Sequence, residues 1–379
     1  MAEDITWVGI DDDKRKLTVA VLRGSGEREP EVRSVENEDR ALGRWVRRLE
    51  REAAGGEIRM CYEAGPNGFA LKRRLEALGP VVVEVVAPTL TPRRAGRRVK
   101  TDPLDARQLA QLFRSGELTE IAVPCEREEA ARDLVRTYHR LGQEITRKRH
   151  HLLKLLLRRG RIYREGKNWT QRHRTWLAAQ HWEDWKDAAT YEELTSGLRE
   201  LEDRQGRLLR ALDRVAGEEA CALEAAVLRC FYGIDTAAAL TLATEIFAVE
   251  RFRRPRELMS YVGLTPSLYQ SADKEIRGGI TKTGNRYARW VLGQVAWHYR
   301  HRPQVGPALQ RRRQGQPAWA VAIADRAHRR LHQRYWALLQ RGKPVHKVVT
   351  AVARELVSFV WEALHEAKVR ARDQVRRVA

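Results

Sequence analysis

Four carboxylates stand at places where solubility alone does not explain them. Asp11 closes the apolar run ITWVGID (5–11), and Glu63 closes EIRMCYE (57–63), so each belongs at the carboxyl edge of an expected strand. Parallel neighbouring strands would bring the two together at the edge where α/β ligand sites form. Two such acids repel each other unless a cation lies between them. Asp102 and Asp105 in KTDPLDAR share one face of a helix that Pro103 opens. Four hard oxygen donors suit Mg²⁺ or Mn²⁺. The Asp-Pro-x-Asp pattern by itself also caps a helix and puts acids in its first turn. The company of Asp11 and Glu63 turns the balance towards a metal site. Asp12 and Asp13 fit a solvated hairpin turn.

The elements that must hold these acids form a mixed α/β sheet. Strands are expected over 5–11, 16–22, 31–37, 57–63 and 81–88, with helices over 38–53, over 67–78 and from Pro103. The opening hairpin followed by helix and strand in alternation excludes a purely doubly wound fold. Residues 1–125 make this first domain. From 126 to 215 the pattern is long, Arg- and Leu-rich and helical, with Leu141, Ile145, Leu152, Leu155 and Leu156 on one face. It predicts an antiparallel helical hairpin or coiled-coil arm. Trp169, Trp176, Trp182 and Trp185 lie between its halves, and packing explains them better than base stacking. Residues 216–379 form a mostly helical third region. There YGIDTAAALTLATEI (232–246) carries a Gly turn into an Ala-rich helix, as a helix-hairpin-helix does when it aims backbone N–H groups at a phosphate. A loop-rich stretch follows at 261–290, then basic amphipathic helices over 287–300, 318–340 and 345–372.

Lys and Arg number 71 against 50 Asp and Glu, a net charge of +21, with 32% charged and 43% hydrophobic residues. That composition folds, and it excludes a disordered basic tail. No apolar run reaches membrane-spanning length, and MAEDITWVGI lacks the order of a signal peptide, so a cytoplasmic protein is expected. Cys61, Cys125, Cys221 and Cys230 form no CxxC pair, which predicts reduced, mostly buried thiols rather than zinc or disulfides. The cationic excess is dominated by Arg and gathers in pieces such as RKRHHLLKLLLRRGR (147–161) and RRAGRR with Arg93, Arg94, Arg97 and Arg98, followed by Lys100. Arg in this density points to phosphate contact, and so to DNA or RNA.

GIDDDK, YEAG and KTDPLDA, in that order, resemble the DEDD-type insertion-sequence transposases, described as bridge-RNA-guided recombinases. YGIDTAAAL, RFRRPRELMSYVGLTPSLYQS, GGITKTGNRYARW and AVAREL resemble the second half of the same family, so the likeness spans nearly the whole chain. It implies an RNase H-like N-terminal domain related to Holliday-junction resolvases, a coiled-coil arm and a C-terminal transposase domain with a nucleophilic serine. By position in GLTPSLYQS that serine is Ser271, with Ser267 a second candidate. The family usually has Gly where this chain has Ala272, and an apolar residue where it has Asp12. Lys274, Arg277, Lys282 and Arg286 lie near the serine and can neutralise phosphate charge. Also implied are donor and target DNA, a non-coding bridge RNA, Mg²⁺ or Mn²⁺, and a homo-oligomer: a dimer, or a tetramer in the synaptic complex.

Three functions compete at this point. A recombinase would cut and rejoin DNA through the carboxylates and Ser271, and would pass through a covalent protein–DNA adduct. A metal-dependent junction nuclease would act by hydrolysis and form none. A nucleic-acid-binding protein, its acids merely capping a helix, would be indifferent to metal.

Overall fold

The computed structural model describes residues 5–24, 29–92, 101–218, 221–271 and 274–378; side chains at 269–277, 377 and 378 lie outside that description. The chain divides into two compact units, Met1–Val123 and Pro124–Ala379.

The first unit holds β1 (Thr6–Asp12), β2 (Lys16–Arg23), β3 (Glu31–Glu36), α1 (Asp39–Ala53), β4 (Ile58–Glu63), α2 (Ala70–Leu78), β5 (Val81–Val86) and α3 (Asp102–Arg114). The strands are ordered β3-β2-β1-β4-β5. The first three pair antiparallel, and β1, β4 and β5 run parallel. The central strands read as near-continuous apolar runs because both sheet faces are covered. Val8, Ile10, Met60, Tyr62, Val83 and Val85 form one buried face, packed with Leu42, Trp45 and Val46 of α1 and Leu71 and Leu75 of α2. Ala20, Leu22, Cys61 and Val86 form the other, covered by Ala106, Leu109, Ala110 and Phe113 of α3. The helix expected from 67 begins three residues later, at Ala70. Pro66 and Asn67 lead into Gly68 at φ 68°, a left-handed turn that delays the helix.

The second unit opens on α4 (Glu126–Arg158), α5 (Gln171–Ala178) and α6 (Trp185–Val215). Arg149 pairs with Glu202 at 2.6 Å and Arg159 with Asp187 at 2.7 Å, so α4 and α6 run antiparallel. The expected apolar face, Leu141 through Leu156, is buried against Leu177, Tyr191 and Leu198, with Trp169, Trp176 and Trp182 around it. Trp185 departs from that packing and is 74% exposed.

The body of this unit contains α7 (Ala222–Leu228), α8 (Thr236–Ile246), α9 (Pro255–Tyr261), β6 (Pro266–Ser271), β7 (Lys274–Ile280), α10 (Arg286–Ala296), α11 (Pro307–Arg313), α12 (Ala318–Gln340) and α13 (Val345–Val378). One core unites α7 to α10, α12 and α13, built from Phe231, Leu242, Leu258, Leu292, Tyr299, Leu331 and Leu356 among others. The hairpin β6–β7 corrects the loop-rich reading of 261–290: among the described residues its two strands pair only with each other. Pro266, Ser267 and Leu268 of β6 are exposed, so burial imposes no apolar alternation there to reveal the strand. Cys61, Cys221 and Cys230 are buried and free as expected, whereas Cys125 is exposed at the start of α4. Among the described residues no helix is long and apolar enough to cross a membrane.

Candidate functional site

In the first unit the geometry turns on one glycine. A β-carbon on Gly9 would lie 2.4 Å from the Ala106 carbonyl oxygen and 2.3 Å from the Ala110 amide nitrogen, so α3 rests directly on the backbone of β1. Further along α3, the Phe113 ring meets the Trp7 ring edge-on at 5.0 Å. As β1 runs from Trp7 through Gly9 to Asp11, α3 therefore runs backwards from Phe113 through Ala106. A strand advances about 3.3 Å per residue and a helix about 1.5 Å, so the two steps from Gly9 to Asp11 match roughly four residues of helix. That carries the first turn of α3, with Asp102 and Asp105, to the level of Asp11.

Glu63 joins them through the sheet. Ile10 pairs with Tyr62 in the parallel ladder, so the next residue on each strand, Asp11 and Glu63, stands at the same level. Both share the alternation of Gly9 and Cys61, the face that α3 covers. The four acids are thus brought to one end of one sheet face, but not into a closed coordination sphere. Among the described residues no group of three or more His, Cys, Asp or Glu is drawn into metal-holding range. Thr101 is the residue before α3, and no side-chain hydrogen bond caps the helix. Helix capping therefore does not account for Asp102.

Asp12 falls on the opposite face by the same alternation. Burial pushes its carboxyl up, a hydrogen bond from Asn67 opposes this, and nearby Asp13 adds to the rise. Asn67 also donates to the Asp12 carbonyl at 3.0 Å. Asp13 is exposed as expected and accepts from the Arg15 amide at 3.0 Å, a bond that holds its carboxyl low. Cys61, beneath the four acids, donates to the Leu109 carbonyl, and burial pushes its thiol up, with Glu84 and Glu63 adding to the effect. A thiol so held is no nucleophile. Arg93, Arg94, Arg97, Arg98 and Lys100 lie outside the described residues.

In the second unit Ser271 pairs with Lys274 at the turn end of the β6–β7 hairpin. The side chains of Ser271, Lys274 and Arg277 lie outside the description, as does Ala272 altogether. Ser267, near the base, donates its hydroxyl to the Gly279 carbonyl at 3.1 Å. Lys282 follows the hairpin at φ 56°, its amide donating to the Gly263 carbonyl at 3.1 Å. Arg286 opens α10 and lies over the Tyr287 ring at 5.1 Å. The Gly turn before α8 has Gly233 at φ 80°, and the Asp235 carboxylate already accepts the Ala238 amide at 2.8 Å.

One buried ionic cluster had no forecast in the sequence. Glu245, its side chain fully buried, accepts from Arg136 Nε at 2.7 Å and Nη2 at 2.9 Å, and from Asn285 Nδ2 at 2.7 Å. Asn285 in turn caps α10 by accepting the Ala288 amide at 3.0 Å. Arg132 donates to the Thr244 carbonyl at 3.0 Å, and His139 shares a 2.7 Å bond with Thr241. The root of α4 is thereby bonded to α8 and to the turn below the hairpin. The available signal was a single acid in the apolar run TLATEI.

Comparison with known proteins gives two family matches. The model for DEDD transposases of IS110 elements matches residues 8–159, and the Transposase IS116/IS110/IS902 family model matches 225–311. The chain is 37% identical over 365 residues to a putative transposase, y4qE, of Sinorhizobium fredii (strain NBRC 101917 / NGR234), covering 96% of this chain and 89% of that one. It is 28% identical over 344 residues to the transposase for insertion sequence element IS1533 of Leptospira borgpetersenii, covering 90% and 99% respectively.

Proposed function

The chain belongs to the IS110-family DEDD transposases, and from that premise we propose that it cuts and rejoins DNA with Asp11, Glu63, Asp102, Asp105 and Ser271, at sites chosen by a bridge RNA. The observation that carries the carboxylate part is the approach of α3 to Gly9, which sets the two helical acids at the level of the two strand acids. The sheet order β3-β2-β1-β4-β5, antiparallel then parallel, fits the RNase H-like fold that the resemblance implies. The donor set fits the hard ions Mg²⁺ and Mn²⁺. The side chains of Glu63 and Asp102 have no hydrogen-bond or ion-pair partner among the described residues, which leaves their carboxylates free to hold such an ion. When bound there, the ion would neutralise charge on the phosphate under attack.

The steps that belong to the chain are nucleophilic and electrostatic. Ser271 Oγ attacks phosphorus, its bond to phosphorus forms, and the bond to one deoxyribose oxygen breaks. The proton lost from the Ser271 hydroxyl balances the one taken up by that oxygen, which leaves as a hydroxyl, and a second strand's hydroxyl reverses the step to rejoin and returns the proton to Ser271. Lys274 and Arg277, on the strand opposite Ser271, supply positive charge for the transition state, and Lys282 and Arg286, at the base of the hairpin, bind the nucleic-acid backbone. The carboxylates and the serine lie in different units. We assign residues 1–125 to the RNase H-like domain, 126–215 to a coiled-coil arm and 216–379 to the transposase domain with its helix-hairpin-helix-like segment. The first two would hold the RNA, and Arg93, Arg94, Arg97, Arg98 and Lys100 would contact nucleic-acid backbone. A homodimer, or a tetramer in the synaptic complex, would bring the carboxylates of one protomer to the serine of another.

Incubation with element-end DNA and Mg²⁺, followed by a denaturing gel, tests this. Wild type gives a covalent protein–DNA adduct. Ser271→Ala keeps DNA binding and loses both adduct and cleavage, Asp102→Asn loses strand transfer, and mixing Ser271→Ala with Asp11→Asn protein restores partial activity. An adduct persisting in Ser271→Ala moves the nucleophile elsewhere, with Ser267 the next residue to test. Cleavage by wild type without any adduct means hydrolysis and refutes the serine mechanism.

A further inference from the structure

Beneath the β6–β7 hairpin lies an open groove of about 1100 Å³, walled by α9, α12 and α13. Its floor includes Met259, Leu264, Pro266 and the Gly278–Gly279 backbone. A β-carbon on Gly279 would meet nothing within 4 Å, so the backbone there lies open. Around this floor stand Arg256, Lys282, Lys347 and Arg354. None of the four has a carboxylate partner among the described residues. The acid in the groove, Glu355, is already taken by Arg330 at 2.6 Å and Arg334 at 3.6 Å. Lys347, Ala351, Arg354 and Ser358 follow one face of α13 at helical spacing, so the two cations lie about 10 Å apart along the helix face that lines the groove. Lys282 reaches its wall from a left-handed backbone, at φ 56°, that a side-chain-bearing residue adopts only under restraint.

A row of uncompensated cations above a floor of apolar side chains and bare glycine backbone matches a linear polyanion better than a compact one. We propose that this groove seats the phosphodiester backbone of a DNA strand, gripped by Arg256, Lys282, Lys347 and Arg354. The choice of DNA rests on the transposase reading. The hairpin extends from the groove at Pro266 to Ser271, about 17 Å at roughly 3.3 Å per residue. A strand cut at the hairpin's turn would pass through the groove within about five steps of the cut, at 3.4 Å per step in B-form DNA.

The test uses the full chain and a single-stranded oligodeoxynucleotide, with affinity measured across a salt series in EDTA so that no cutting occurs. Each phosphate contact on a single strand contributes about 0.7 to the slope of log affinity against log salt. Lys347→Gln/Arg354→Gln should lower the magnitude of that slope by about 1.4, while Lys347→Arg/Arg354→Lys should keep it. The exposed pair Arg40→Gln/Arg44→Gln, on α1 of the first unit, should leave it unchanged. An unchanged slope in the groove variant overturns the proposal, and so does an RNA of the same sequence losing more affinity than the DNA. Neither result depends on Ser271, so failure here leaves the serine mechanism standing, and loss of the adduct in the earlier assay leaves this one standing.

Discussion

Replacing Gly9 with alanine adds one methyl group at the point where α3 touches β1. The new carbon would lie 2.3 Å from the Ala110 nitrogen and 2.4 Å from the Ala106 oxygen, and both obstacles are backbone, which cannot rotate away. Ordinary contact begins near 3.4 Å, so α3 must retreat by about 1 Å. Overpacking of this kind costs about 1–3 kcal/mol, which for a domain of this size lowers Tm by a few degrees per kcal/mol. The protein should remain folded. Asp102 and Asp105 ride on the displaced helix while Asp11 and Glu63 stay in the sheet. A displacement of about 1 Å in a reacting constellation costs on the order of 100-fold in rate. Gly9→Ala should therefore lose about two orders of magnitude of strand transfer, measured on element-end DNA, with Tm followed by scanning fluorimetry. Gly206→Ala in α6 is the control, because its β-carbon would meet only the Arg210 guanidinium at 3.9 Å, and it should gain up to about 1 kcal/mol from helix propensity. Wild-type activity and Tm in Gly9→Ala would refute the placement of α3 as the device that assembles the acids.

Two further outcomes concern the second unit. Arg136→Met strands the buried Glu245 carboxylate with Asn285 as its remaining partner and should cost about 3–5 kcal/mol in urea unfolding, with Glu245→Gln costing less; equal, negligible losses would show the pair to be incidental. His328, 3% exposed and stacked on Tyr232 at 4.2 Å, has its pKa pushed down by burial to about 4. The unfolded chain takes up this proton near the ordinary value of about 6.5 and the folded chain does not. Stability from His328 is full above that value and falls by roughly 3 kcal/mol as pH drops from 6.5 to 4, so urea titrations from pH 7.5 to 4.5 should slope downwards and His328→Leu should flatten them.

Much of this was legible because strand and helix announce themselves by burial. ITWVGID is largely apolar on both faces and EIRMCYE on one, where Ile58, Met60 and Tyr62 are buried together, and the acids that end them mark the sheet's edge without any tertiary knowledge. The long helices at 126–158 and 185–215 declare a face through their leucines. The β6–β7 hairpin was illegible because its first strand opens on exposed residues, Pro266 to Leu268, where burial demands no alternation. Gly9 gave no sign because a glycine in a strand looks the same whether it borders solvent or a helix backbone. The Glu245 cluster joins residues 109 positions apart, a distance over which local pattern carries nothing. Asp12 shows what register adds: beside Asp11 in sequence, it belongs to the other side of the sheet.

The bonds at the root of α4 also have a mechanical meaning. Arg132, Arg136 and His139 anchor a stretch of about 10 Å, while the rest of the helix projects about 28 Å further to Arg158, at 1.5 Å per residue. A sideways load at the far end is therefore felt nearly threefold larger at the anchor. A tilt of about 5° at the root would sweep the tip by roughly 2–3 Å. The fulcrum of that rod is Glu245, and the same carboxylate holds Asn285, the residue on which α10 begins.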